Sequence, residues 1–95
     1  MPAQPQLTVV VNFFNLGVLA TDVLASLRYS TDPRIRFLMV DDASADDTPE
    51  RLAAAARTLP GAEVLGLDEN LGLAGARMAA LQRLETDWFT FLDGD

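Results

Sequence analysis

Short apolar runs alternate with amphipathic segments along the chain, and this alternation predicts four strands separated by three helices. Residues 7–11 form the first apolar run, which is rich in β-branched side chains and predicts a buried strand. Similar runs predict strands at residues 35–40, 62–67 and 87–92. The apolar residues between these runs recur at helical spacing, so we expect a β-α-β-α-β-α-β order.

The helix boundaries are marked by residues with known positional preferences. The first helix is predicted to begin near Leu16 and to end at about Tyr29, ahead of a proline-containing turn. The second begins at Thr48-Pro49-Glu50, where a capping residue precedes a proline and an acid. The third covers residues 73–84. Alternation with short connections predicts an α/β fold with a Rossmann-like, mostly parallel sheet.

Polar side chains follow three of the predicted strands at their carboxyl ends, which is where such sheets bind ligands. The three groups are Asn12 and Asn15, Asp41 and Asp42, and Asp93 and Asp95. Asp93 and Asp95 are separated by one residue and therefore project to the same side of the strand. Two carboxylates so placed repel each other, so a cation is expected between them. Hard oxygen ligands favour Mg²⁺ or Mn²⁺, with Ca²⁺ as a further option.

Composition narrows the chemistry further. The 95 residues suit one small domain or part of a larger one. The chain has no cysteine and no histidine, so thiolate and imidazole metal sites are excluded. The net charge of −7, with no lysine, argues against a nucleic-acid partner. We find no membrane span or secretory signal in this segment. A cytoplasmic location is expected, and peripheral association with the membrane is an alternative for the full-length protein.

Individual candidates have structural as well as functional interpretations. Asp42 should face the crevice and accept a hydrogen bond from a base N–H or a ribose hydroxyl, whereas Asp46 and Asp47 fit a solvated helix cap. One of Phe13 and Phe14 could present its ring to a base. Trp88, Phe89 and Phe91 fit packing roles.

The segment from Asn70 to Arg77 resembles a phosphate-cradling turn that leads into a helix. Arg77 lies about one turn into that helix, within reach of phosphate oxygens, but it also fits an ordinary surface residue. Gly75 also fits a purely structural role, in which it only permits close packing of the helix. The first strand is not followed by Gly-x-Gly-x-x-Gly, which argues against a dinucleotide-binding domain.

Together these motifs resemble the nucleotide-sugar-binding half of family 2 glycosyltransferases, which have the GT-A fold. The resemblance covers nearly the whole chain from Leu7 onward. The matching segments are Asn12 to Asn15, Val40 to Asp46, Asn70 with Gly72, Ala76 and Arg77, and Phe91 to Asp95. Asn12 and Phe13 depart from the family's usual Pro-Thr, and Met78 replaces the asparagine that commonly follows the arginine.

The resemblance implies transfer of a sugar from a UDP-, GDP- or dTDP-sugar to an acceptor. It implies nucleotide-sugar binding by Asn12, Phe14, Asn15, Asp42, Asn70, Gly72, Arg77 and Asp93. It also implies that Asp93 and Asp95 hold the divalent metal. The family's acceptor-binding half and general base are expected beyond residue 95. We therefore expect residues 1–95 to be one donor-binding subdomain of a truncated enzyme, inactive alone and prone to self-association.

Alternatives from other classes stay open at this point. A phosphoryl-accepting receiver domain also gathers acids at strand ends, but it needs a lysine that this chain lacks. A sugar-nucleotide pyrophosphorylase would need a glycine- and arginine-rich loop after the first strand, where this chain has residues 12–17 instead. A non-catalytic nucleotide-binding module is the third alternative.

Overall fold

The computed structural model describes residues 6–27 and 32–93, with Asp93 described by its backbone alone. In chain order the elements are β1 (Leu7–Phe13), α1 (Val18–Leu27), β2 (Ile35–Asp41), α2 (Thr48–Ala56), β3 (Ala62–Gly66), α3 (Gly72–Leu81) and β4 (Trp88–Asp93). All seven predicted elements and their order are confirmed. Tyr29, the predicted end of the first helix, lies outside the described residues. None of the helices in the described ranges is long and apolar enough to cross a membrane.

The four strands form one parallel sheet in the order β3-β2-β1-β4. Alternate residues of β1 supply two separate cores, because successive strand side chains point to opposite faces. On one face Val11 and Phe13 pack in a cluster with Leu24 of α1 and Leu52 of α2. On the other face Val10 packs with residues of α3. The helices therefore cover both faces, as the α/β prediction requires.

The strand order places a topological switch point between β1 and β4. The chain passes from β1 through β2 to β3 in one direction, with α1 and α2 on one face. It then crosses over through α3 on the other face and places β4 on the far side of β1. Ligands in open parallel sheets bind outside the carboxyl ends of the strands at such a point. The crevice is thus expected between the ends of β1 and β4.

Several boundaries differ from the sequence prediction by one to three residues, and three of them have a structural reason or consequence. The N-cap of α2 is Asp47 rather than Thr48, because the buried Thr48 hydroxyl accepts the backbone N–H of Gly17 at 3.0 Å. The helix α3 ends at Leu81, three residues early, where the Arg83 N–H bonds to the carbonyl of Ala80 and tightens the last turn. The strand β1 continues two residues further than predicted, to Phe13.

Candidate functional site

The carboxyl ends of β1, β2 and β4 lie side by side, as the sequence predicted. Asn12 of β1 is in register with Val40 of β2 on one side and with Asp93 of β4 on the other. Phe13 is in register with Asp41. Three of the predicted polar strand ends are therefore brought to one edge of the sheet, next to the switch point.

Asn12 lies within the sheet at this edge and shares the α3 face with Val10, because the two residues are two positions apart in β1. Both its amide nitrogen and its amide oxygen are buried, and neither has a hydrogen-bond partner among the described residues. Leaving a buried polar group without a partner costs about 1–3 kcal/mol. Such a cost at the crevice is the kind of feature that marks a binding position.

The carboxylate of Asp42, directly after β2, caps the amino end of α3, which follows the neighbouring strand β3. Its Oδ1 accepts the Leu71 N–H at 2.7 Å, and its Oδ2 accepts the Gly72 N–H at 3.0 Å and the Asn70 side-chain amide at 3.2 Å. The Asn70 amide also donates to the Asp42 carbonyl. A carboxylate has about four lone-pair sites, so about one acceptor position remains. This capping role was not predicted, since it depends on a contact across 29 residues of sequence.

Glycines shape the start of α3 in two different ways. Gly72 has a φ of +76°, and a Cβ there would meet nothing within 4 Å, so glycine is favoured by its backbone conformation. A Cβ on Gly75 would lie 2.6 Å from the Cβ of Leu71. Gly75 therefore lets Leu71 pack against the first turn, which agrees with the packing interpretation of this residue.

The loop after β2 is bound to the loop after β1 through Ser44. The Ser44 hydroxyl donates to Oδ1 of Asp41 at 2.5 Å and accepts the N–H of Asn15 at 2.9 Å. The Asn15 side-chain oxygen in turn accepts the N–H of Ala45 at 2.7 Å. Asn15 and Ala43 both have positive φ values, of 50° and 58°. The two loops thus form one braced unit, and Ser44 is a positioning residue that the sequence analysis missed.

The acids farther along this loop match their predicted solvent-exposed role. Asp46 and Asp47 are exposed, and Asp47 forms an ion pair with Arg51 at 2.9 Å. Oδ1 of Asp46 accepts the Thr48 N–H at 2.9 Å. Hydrogen bonding from the side chain and then the backbone of Thr48 lowers the pKa of Asp46 from its ordinary value.

Phe13 and Phe14 are adjacent in sequence but lie in different environments. Phe13 is 1% exposed within the core, whereas Phe14 is 48% exposed at the carboxyl edge. Phe14 is therefore the ring available to a ligand. Phe13 ends β1 with its ring in the core, so the exposed ring is that of Phe14, the residue to which the resemblance had assigned the base contact.

Arg77 of α3 is half-buried, and its guanidinium carbon lies 4.7 Å above the ring centre of Phe91 in β4. Phe91 is in register with Val10, two residues before the Asn12–Asp93 pair. Arg77 is thus placed on the α3 side of the sheet, close below the switch point.

The predicted metal pair is not tested by the described side chains. Asp95 lies outside the described residues, and Asp93 ends β4 beside Asn12. Among the described side chains, no three Asp, Glu, His or Cys residues are grouped closely enough to hold a metal ion. The donor chemistry available at this edge is oxygen, which fits Mg²⁺ or Mn²⁺, so the metal pair stays a prediction.

Comparison with known proteins agrees with this arrangement. The chain is 32% identical over 91 residues to a teichoic acid poly(glycerol phosphate) polymerase of Staphylococcus epidermidis. This match covers 95% of the chain and 13% of the polymerase. It superposes with a TM-score of 0.82 on the mannosyltransferase PcManGT of Pyrobaculum calidifontis, solved in complex with GDP-Man and Mn²⁺. That match has 26% identity and covers 98% of this chain and 28% of that one.

A second solved structure, TarS residues 1–349 of S. aureus in complex with UDP-GlcNAc, also gives a TM-score of 0.82. It has 26% identity and covers 95% of this chain and 26% of that one. The chain therefore spans less than a third of the length of each of these proteins. The expected Rossmann-like half of a GT-A fold is confirmed. The profile described as glycosyl transferase family 2 matches residues 8–95, and the chain belongs to that family.

Proposed function

We propose that this chain is the donor-binding part of a metal-dependent glycosyltransferase that takes its sugar from a nucleoside-diphosphate sugar. The observation that carries the proposal is the buried amide of Asn12 at the switch point, beside the end of β4, which has no hydrogen-bond partner among the residues that the structure describes. The solved relatives described above were captured with UDP-GlcNAc and with GDP-Man and Mn²⁺, which supports this ligand class. The acceptor and the general base belong to the proposal for the whole protein.

The nucleoside end of the donor is assigned to the β1 and β2 side of the crevice. Phe14 offers an exposed ring for stacking on the base. Asp42 offers its remaining acceptor position to a base N–H or a ribose hydroxyl. Asn15 and Asn70 hold the two loops that carry these residues, through their bonds to Ala45 and Asp42.

The diphosphate end is assigned to the β4 and α3 side. Arg77 supplies a cation on that side, and Asn12 supplies both a donor and an acceptor. The amino end of α3 at Gly72 adds the partial positive charge of the helix. These groups oppose the negative charge that builds on the diphosphate when the sugar leaves.

Asp93 and Asp95 would hold the divalent metal, which as a Lewis acid would stabilise the departing diphosphate. The net charge of −7 makes this requirement physically reasonable, since bare phosphates would be repelled by the acidic strand end. A cytoplasmic location, with the full-length protein at the membrane periphery, stays a prediction.

Calorimetric titration of the chain with UDP and with GDP, in Mn²⁺ and then in EDTA, tests the proposal. We expect binding of one nucleotide that is lost in EDTA. Asp93→Asn should remove the Mn²⁺ dependence, whereas Asp87→Asn, at an exposed acid just before β4, should not. Equal affinity in EDTA would refute the metal role, and failure of both nucleotides to bind would refute the donor assignment.

A further inference from the structure

We infer that Phe91 is a positioning residue that holds the Arg77 guanidinium ready for the donor diphosphate. This inference rests on the proposed function, because it takes Arg77 as a diphosphate contact. The sequence analysis had assigned Phe91 to packing, and the contact between the two side chains gives it a second role.

The first step is the contact itself. The guanidinium carbon of Arg77 lies 4.7 Å above the centre of the Phe91 ring. A cation within about 6 Å of a ring centre is attracted by the negative face of the ring. Both residues are half-buried, so water screens this attraction less than it would on an open surface.

The second step is the position of this contact relative to the site. Phe91 is two residues before Asp93 in β4, which corresponds to about 6.6 Å along a strand. Arg77 is five residues into α3, about 7.5 Å from its amino end. Helix side chains lean toward the amino end of their helix. The amino end of α3 is held at the carboxyl edge by Asp42, so Arg77 leans toward the site.

The third step is the cost of ordering arginine. A long arginine side chain loses much rotamer freedom when it is fixed on a ligand. Stacking on Phe91 restricts the side chain before the ligand arrives, so less freedom is lost on binding. Stacking uses the flat face of the guanidinium, whereas phosphate is bound through N–H groups at its edge.

Phe89 provides a matched control on the same strand and face. It meets Phe91 edge-on, with ring centres 5.5 Å apart at 67°, and it lies one strand repeat farther from the site. Phe91→Leu should weaken Mn²⁺–nucleoside diphosphate binding about three- to tenfold. Phe91→Tyr should keep the affinity, and Phe89→Leu should leave it nearly unchanged. In an Arg77→Met background, Phe91→Leu should cause no further loss.

A measurement without nucleotide separates this inference from the proposed function. In the unliganded protein, the ring current of Phe91 should shift the side-chain NMR signals of Arg77, and Phe91→Leu should abolish that shift while Phe89→Leu retains it. Unchanged Arg77 signals in Phe91→Leu would overturn the inference whatever the nucleotide does. An equal affinity loss from Phe91→Leu with and without Arg77 would also overturn it. Normal ring-current shifts in a protein that binds neither nucleotide would instead overturn the donor assignment and leave Phe91 a structural partner only.

Discussion

Asp42→Asn should destabilise the fold as well as weaken nucleotide binding, because the carboxylate of Asp42 caps α3. Three hydrogen bonds end on its two oxygens, from Leu71, Gly72 and Asn70. The side chain is almost wholly buried, so water cannot replace a lost bond. Asparagine keeps one oxygen but turns an NH₂ group toward N–H donors that the second oxygen had accepted.

The magnitude follows from the bonds that are lost. Hydrogen bonds to a charged group contribute about 1.5–3 kcal/mol, and loss of a helix N-cap costs about 0.5–2 kcal/mol. These contributions overlap, so we expect a loss of about 2–3 kcal/mol in the free energy of unfolding. For a domain of this size that corresponds to a fall of roughly 10–20 °C in Tm. Nucleotide affinity should fall by a further 1–3 kcal/mol, roughly, through loss of the proposed base or ribose contact.

Urea unfolding at pH 7, followed by far-UV circular dichroism, measures the stability term. Asp46→Asn is the matched control: that acid is exposed, and asparagine can still accept the Thr48 N–H, so its effect should stay within about 0.5 kcal/mol. Equal unfolding curves for the two variants would refute the capping argument. Unchanged stability of Asp42→Asn together with lost nucleotide binding would assign the carboxylate to the ligand alone.

Three further predictions concern strain, acid and association. Ala43→Gly should stabilise the fold by up to about 1 kcal/mol, because its φ of 58° strains alanine; Ala45→Gly should not, and a gain from both in urea unfolding would contradict this. Hydrogen bonding from the Arg34 side chain lowers the pKa of Asp32 to about 2. The ionised Asp32 carboxylate therefore contributes to the free energy of unfolding above its ordinary pKa of 3.8, and this contribution is lost as the pH falls toward 2. Between these pH values the unfolding free energy of Asp32→Asn should depend less on pH than that of the parent protein. Sedimentation velocity should show self-association, since β4 is an edge strand whose Trp88 is 72% exposed; a single monomer at all concentrations would contradict it.

Sequence patterns were sufficient to predict the helices and strands and the edge of the sheet at which the polar groups meet. Apolar runs and capping signals are local, and the rule that parallel strands share a carboxyl edge converts their order into a location. The contacts made by each candidate were not accessible in this way. Asp42 caps a helix 29 residues away, and Arg77 contacts a ring 14 residues away. Both contacts depend on α3 crossing to the opposite face from α1 and α2.

Backbone conformation set a second limit on prediction. Ala43 adopts a left-handed conformation that is usual for glycine and costly for alanine. The surrounding bonds hold it there, because Asp41 and Asn15 both bond to Ser44, the next residue. The sequence shows the acids of the loop after β2, but it does not show the hydrogen bonds that orient them.

Asn12 and Phe13, which stand where the family's usual pattern is Pro-Thr, are the last two residues of β1. Proline has no N–H, so at Asn12 it could not donate to a neighbouring strand. Asparagine can, and β1 here continues through Asn12 to Phe13 with partners on both sides of Asn12. The extension buries Phe13 in the core and leaves Phe14 as the exposed ring. Asn12 thus has partner residues on both neighbouring strands and places a buried carboxamide at the switch point, where proline would offer a ligand no side-chain hydrogen bond.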